Sequence, residues 1–249
     1  MRNKLLFFWL ILFLGNGCAT LPNPSMTAIQ NAEHLVEQNQ SAQAEQLLEQ
    51  YRKTWKTQAI QGDIAAYRGQ WQKAAQFFKE SLNLAETAHP EPAYSEKDRI
   101  YSSFEEAQLL AGKTVSALIE PPHDPVKSWY VPKKMRIAVE FESDGWKVDD
   151  ITQEGKEAIE RMANYLHNKR KAAIIGHTDE RGKASYNQRL SEQRAKSIHQ
   201  YLRNKGTQTK ITTEGKGEAE PLRPLPRWKR NWTQAEIYQR DRRVELVIE

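Results

Sequence analysis

A single cysteine, Cys18, occurs in 249 residues. An internal disulfide framework and a four-cysteine zinc site are therefore excluded. Apolar runs are as scarce: residues 5–14 form the only extended one, ten residues long. A spanning helix needs about 20 apolar residues, so a polytopic helical membrane protein is excluded too. The six histidines (34, 89, 123, 167, 177 and 199) contain no His-x-x-x-His spacing. Neither a Gly-x-Ser-x-Gly elbow nor a Ser-x-x-Lys pair is present, so no hydrolase signature stands out. Neither catalysis nor a cofactor or metal is expected, and His177 beside Asp179 reads as structural.

What is present begins at the N-terminus. Arg2 and Lys4 precede the apolar run, and Gly15-Asn16-Gly17-Cys18 follows it. A positive start, a short apolar stretch and small residues read as an export signal. The pattern resembles the signal of bacterial lipoproteins, with Gly15 where those signals usually carry Leu. That resemblance implies cleavage after residue 17, acylation of Cys18 and, with Ala19 after it, a lipid anchor in the outer membrane. The segments expected are a signal at 1–17, a tether at 18–26, a helical domain at 27–112, a Pro-rich linker at 113–134 and a second domain at 135–249. Pro121, Pro122, Pro125 and Pro132 mark the linker, because helices do not run through such a cluster.

Within 27–112, Ala44, Leu47, Leu48, Tyr51 and Trp55 follow helical spacing, and so do Trp71, Ala74, Ala75, Phe78 and Leu82. Residues 62–78 resemble a tetratricopeptide helix pair, in which small residues admit an aromatic plug. Ser95-x-x-Asp98 reads as a capping box for a further helix carrying Ile100, Phe104, Ala107 and Ala111 on one face. Such a region either recruits a protein partner or packs on itself as a spacer.

The second half alternates strand and helix signals: a strand at 135–141, a helix around Ile159 to Leu166, and a strand at 172–175. A long helix at 184–205 and strands at 210–213 and 244–248 complete it. The order β-α-β-α-β-β predicts a mixed sheet covered by two helices, and an α+β fold overall. On the long helix, Asn187, Ser191, Arg194, Ile198 and Leu202 share a side. Ile198 and Leu202 must face the sheet, so Arg194 points inward, where a charge needs a partner. Asp179, just after the strand, is placed to supply one, either as a structural ion pair or as part of a site.

Residues 176–206 read Gly-His-Thr-Asp-x-x-Gly-x-x-x-Tyr-Asn-x-x-Leu-Ser-x-x-Arg-Ala-x-x-Ile-x-x-Tyr-Leu-x-x-x-Gly. This block resembles the OmpA C-terminal-like peptidoglycan-binding domain, also found in peptidoglycan-associated lipoproteins. Gly215-x-Gly217-x-x-x-Pro221 and Arg242-Arg243-Val244-Glu245 continue the likeness. The resemblance implies that Asp179 and Arg194 clamp the diaminopimelate of a stem peptide. Asn187 and Leu190 would line the same pocket, joined by Thr178 and Arg242. The free end of diaminopimelate is a zwitterion, which one carboxylate and one guanidinium complement. Peptidoglycan, the outer membrane through the lipid anchor, and a protein held by the helical domain, where that region recruits one, are the partners implied. A scaffold in a secretion or motor complex is the alternative reading, and nucleic acid is not expected.

Net charge is +5, and seven basic residues gather between positions 223 and 243: Arg223, Arg227, Lys229, Arg230, Arg240, Arg242 and Arg243. Trp228 and Trp232 lie among them, four apart. The aromatic and basic mixture suggests a surface for glycan or anionic headgroups, or rings packed on the fold.

Overall fold

The computed structural model describes residues 21–111, 134–142, 145–222, 228 and 230–248. Cys18, the export signal and the linker prolines lie outside these residues.

Five helices lead: α1 (Met26–Glu37), α2 (Ser41–Leu48), α3 (Trp55–Tyr67), α4 (Trp71–Glu86) and α5 (Tyr94–Ala111). The apolar stripe expected along one helix from Ala44 to Trp55 is divided between two. α2 ends at Leu48, and α3 starts at Thr54, whose hydroxyl accepts from the Thr57 N–H while the Thr57 hydroxyl accepts from the Thr54 N–H. That reciprocal cap satisfies donors a continuous helix would pair elsewhere, and it starts a new helix. Ser95 also differs from expectation. α5 begins one residue earlier, at Tyr94, so Ser95 lies inside its first turn rather than at its cap.

The pairing of α3 with α4 follows from one glycine. A Cβ on Gly62 would come within 2.6 Å of the Phe78 ring, so only Gly lets the two helices close over it. Phe78 is fully buried there, with Trp71, Ala74 and Ala75. On α5, Ile100, Phe104 and Ala107 face the same core, at the spacing the sequence shows.

The second half holds β1 (Lys134–Ile137), a 3-10 turn (Val148–Asp150), α6 (Gln153–Leu166), β2 (Lys171–His177), α7 (Ala184–Asn204), β3 (Lys210–Gly217), α8 (Gln234–Asp241) and β4 (Val244–Ile248). The four strands form one mixed sheet in the order β1-β4-β2-β3. β4 runs antiparallel to β1 and β2, and β2 runs parallel to β3. Ile159, Met162 and Leu166 of α6 and Ala195, Ile198 and Leu202 of α7 pack with strand residues Met135, Ala172, Ile174 and Leu246 into one core. This is the anticipated α+β arrangement with one addition: α8 stands between the last two strands. Lys134, assigned to the linker from sequence, is the first residue of β1, and Met26, assigned to the tether, opens α1.

The two halves are in contact, and the Trp-rich connection joins them. Trp228 is 1% exposed and inserts among the helices, its ring 6.0 Å from Phe78 and 5.8 Å from Trp71 by centroids. Its Nε1–H donates to Asp63 Oδ1 at 3.0 Å. Trp232 stacks on Trp71 at 5.6 Å and 14°. The guanidinium of Arg230 lies 5.0 Å from the Trp71 ring and 5.5 Å from that of Trp232. Of the two readings, packing is the one seen: Trp228 is core, and the half-buried Trp232 packs against it. Burying the Trp228 ring removes a large apolar area from water, which favours this packing.

The four members of the basic cluster among the described residues are paired within the fold. Arg230 pairs with Glu236 and Arg240 with Glu106 of α5; Arg242 pairs with Asp179 and Arg243 with Glu245. Arg240 and Arg243 are almost wholly buried. Each buried guanidinium has its own carboxylate, as desolvation demands.

Beside Glu106, Glu105 is also buried where α5 meets β1, and its Oε1 accepts the Arg136 N–H at 2.9 Å. Burial raises its pKa from the ordinary 4.5 to about 7, against the lowering effect of the Arg136 hydrogen bond. A carboxyl whose folded pKa is raised adds stability while protonated and loses it as pH climbs through the folded value. Glu105→Gln, which keeps an acceptor for Arg136, is therefore expected to flatten the fall in Tm between about pH 5 and pH 8. Thermal melts across that range check it; parallel slopes for the variant and the parent would contradict it.

Candidate functional site

The site lies where α7 leaves the sheet. A Cβ on Gly176 would meet the Ser191 carbonyl oxygen at 2.3 Å, and one on Gly215 would meet the Glu192 nitrogen at 2.4 Å. The two glycines let α7 settle against β2 and β3. Ser191 Oγ then accepts the Gly217 N–H at 2.9 Å. The loop after β2 is thereby set against the first turns of α7, and residues 138–142 close the other side. The latter segment is held by a bridge between Phe141 and Ile151 and by Thr152 N–H donating to the Glu140 carbonyl.

A cavity of about 540 Å³ opens between them. All six residues expected to form a pocket line it: Thr178, Asp179, Asn187, Leu190, Arg194 and Arg242. Their individual arrangements differ from expectation. Asp179 and Arg194 share the cavity but do not form an ion pair with each other. Asp179 instead takes Arg181 Nη2 at 2.8 Å, Arg181 Nε at 3.1 Å and Arg242 Nη1 at 2.7 Å. Burial alone would raise its pKa, but the hydrogen bonds from Arg181 and Arg242 outweigh it and hold the carboxyl down at about 2. The group is therefore anionic throughout the neutral range.

Arg194 sends Nε–H to the Gly145 carbonyl at 2.9 Å, and its guanidinium lies 5.0 Å from the Phe141 ring centroid. A planar cation fixed over a ring and tied through Nε keeps one orientation, which favours recognition of a planar carboxylate. Asn187 has a different task from that of a ligand donor. Its Nδ2 donates to the carbonyls of Asp179 and Arg181 and to Glu218 Oε2 at 2.6 Å. The side chain secures the loop that presents Asp179. Thr178 Oγ1 is buried and has no hydrogen-bond partner among the described residues.

Sequence reasoning did not single out Arg181, Gln239, Glu140, Glu142 or Phe141, which also line the cavity. Arg181 was legible as the second residue after Asp179. Gln239 has no such signal, because it stands on α8. Arg243 faces away, with Nε donating to Glu245 Oε1 at 3.0 Å. His177 is buried with Nε2 3.6 Å from Glu245 Oε2, and no metal-binding group of His, Cys, Asp and Glu exists among the described residues.

The lining thus carries three carboxylates (Glu140, Glu142, Asp179) and three guanidiniums (Arg181, Arg194, Arg242). Balanced charges of both signs around one cavity suit a zwitterion better than an ion of either sign.

A match to the OmpA family spans residues 141–231. The chain carries an OmpA family domain. Outer membrane protein A of Shimwellia blattae is 35% identical over 105 residues, covering 39% of this chain and 44% of that protein. Outer membrane protein A of Bordetella avium is 36% identical over 123 residues, covering 47% and 60%. The chain therefore spans less than two thirds of the length of these relatives. Among solved structures, the peptidoglycan-associated lipoprotein of Burkholderia pseudomallei is similar at 23% identity with a TM-score of 0.38, over 53% of this chain and 98% of that one. In this OmpA-like domain, the match covers the cavity's main walls and stops short of α8 and β4. No helix among the described residues is long and apolar enough to cross a membrane.

Proposed function

We propose that this protein holds peptidoglycan non-covalently through the free end of diaminopimelate in a stem peptide, and so ties the wall to the outer membrane. The observation that carries the reading is the cavity in which Asp179 and Arg194 stand with balanced charge around them. The ammonium of the ligand meets the carboxylate side, replacing part of what Arg181 and Arg242 give Asp179, and the ligand carboxylate meets Arg194. The curated relatives carry the name outer membrane protein A, which supports a place in the envelope. Helices α3 and α4, closed over Phe78 at Gly62, support the tetratricopeptide-like reading of the helical region. Cosedimentation of the purified protein with diaminopimelate-type sacculi tests the wall-binding half; a protein that stays in the supernatant would overturn it.

The membrane half rests on Cys18 after the apolar run. Cys18→Ser is expected to abolish acylation and to move the protein from the membrane to the soluble fraction. Detergent partitioning reads this directly, and unchanged partitioning would remove the lipid anchor from the proposal. An anchor at one end and a wall-binding pocket at the other make a tether.

A further inference from the structure

We infer that the helical region is a positioning element for the pocket and acts on it through α8; the inference rests on the proposed ligand site. α8 is eight residues long and is held at three points. Glu236 and Arg240, one turn apart, face the helical region. Glu236 Oε1 accepts the Trp71 Nε1–H at 2.9 Å and also pairs with Arg230, while Arg240 pairs with Glu106 of α5 in a fully buried contact. At its base, Asp241 Oδ1 accepts the Leu222 N–H at 2.8 Å, and Arg240 Nη1 donates to the Leu222 carbonyl at 3.0 Å.

The other face of the same short helix reaches the cavity. Gln239 on the helix and Arg242, the residue just past its end, line it. Arg242 Nη2 donates to Gln239 Oε1 at 2.5 Å and Nη1 to Asp179 Oδ2 at 2.7 Å. Tyr238 lies under the Arg181 guanidinium, 4.9 Å from its ring centroid, so the second partner of Asp179 also rests on α8. Both cations that hold Asp179 are thus placed by a helix whose own position is set from Trp71 and Glu106. A helix this short does not hold its form alone and takes its position from what it packs against. Trp71 and Glu106 touch no ligand in this account; they act through Arg242, Gln239 and Tyr238.

The test titrates the full chain with a diaminopimelate-type muropeptide. Glu106→Gln and Trp71→Phe are each expected to weaken binding about tenfold although both lie outside the cavity. Trp71→Phe keeps an aromatic ring in the stack while removing the donor to Glu236, so it carries the test if Glu106→Gln does not fold. The decisive readout is the background dependence. In an Arg242→Ala/Tyr238→Ala background, which removes both links from α8 to Asp179, either substitution is expected to change affinity by less than about twofold, while in a Leu190→Ala background the tenfold loss persists. Unchanged affinity in the folded single variants would overturn the inference and leave the ligand site standing. An undiminished loss in the Arg242→Ala/Tyr238→Ala background would also overturn it, since the effect would then not pass through α8. No binding by the parent protein would overturn the ligand site and this inference together.

Discussion

Asp179→Ala and Arg194→Ala should each remove the protein from sacculi in a pull-down, with cooperative thermal unfolding retained. Both side chains line one cavity, Asp179 almost fully buried and anionic, Arg194 fixed over Phe141. Truncating one member of a desolvated charge pair typically costs about 2–5 kcal/mol of binding, much of it from stranding the remaining charge. For Asp179 the stranded groups are Arg181 and Arg242, so that substitution should also leave two neighbouring cations in mutual repulsion. Asp179→Asn is expected to bind weakly too, because it keeps the shape and loses the charge. Full retention of both folded Ala variants on sacculi would place the wall contact elsewhere on the molecule.

The largest expected effect on stability belongs to Trp228→Ala. The ring is 1% exposed, packed against Phe78 and Trp71, with its N–H satisfied by Asp63. Emptying such a site costs about 3–5 kcal/mol, part of it from the cavity left behind. At roughly 2–4 °C per kcal/mol for a chain of this size, Tm should fall by roughly 10 °C. Asp63 would lose a buried hydrogen bond at the same time, which adds to the cost. Trp228→Phe should fall between the two, keeping most of the apolar contact and losing the donor. A Tm within a degree or two of the parent would mean the ring does not join the two halves.

The parts legible in the sequence are those whose cause is local. Gly176 to Arg194 could be read because the strand, the loop and the inward helix face lie within twenty residues, and their spacing dictates which side chains converge. Gly62 and Phe78 were legible for the same reason: a short turn brings two neighbouring helices together. What escaped has its cause far away along the chain. α8 contains few apolar residues, and what holds it, Trp71 and Glu106, is 165 and 134 residues distant from its partners. Trp228 and Trp232 lie among arginines and a lysine, a pattern that suits a wet surface as well as a core. Only the helical groove that receives them decides between the two. Of the two roles left open for Asp179 and Arg194, the direct ion pair is not the one formed. Inward direction brings Arg194 to the cavity, but Arg181 and Arg242 reach the carboxylate first.

The central claim, that the cavity reads the zwitterionic end of diaminopimelate, is tested most directly by titrating the parent protein with two stem peptides. One carries diaminopimelate at the third position and the other carries lysine, which keeps the ammonium and lacks the carboxylate. A hydrogen-bonded charge pair is worth about 1.5–3 kcal/mol, so the lysine stem should bind at least about tenfold more weakly. Equal affinity for the two stems would contradict a role for Arg194 in recognition, and no affinity for either would contradict the site.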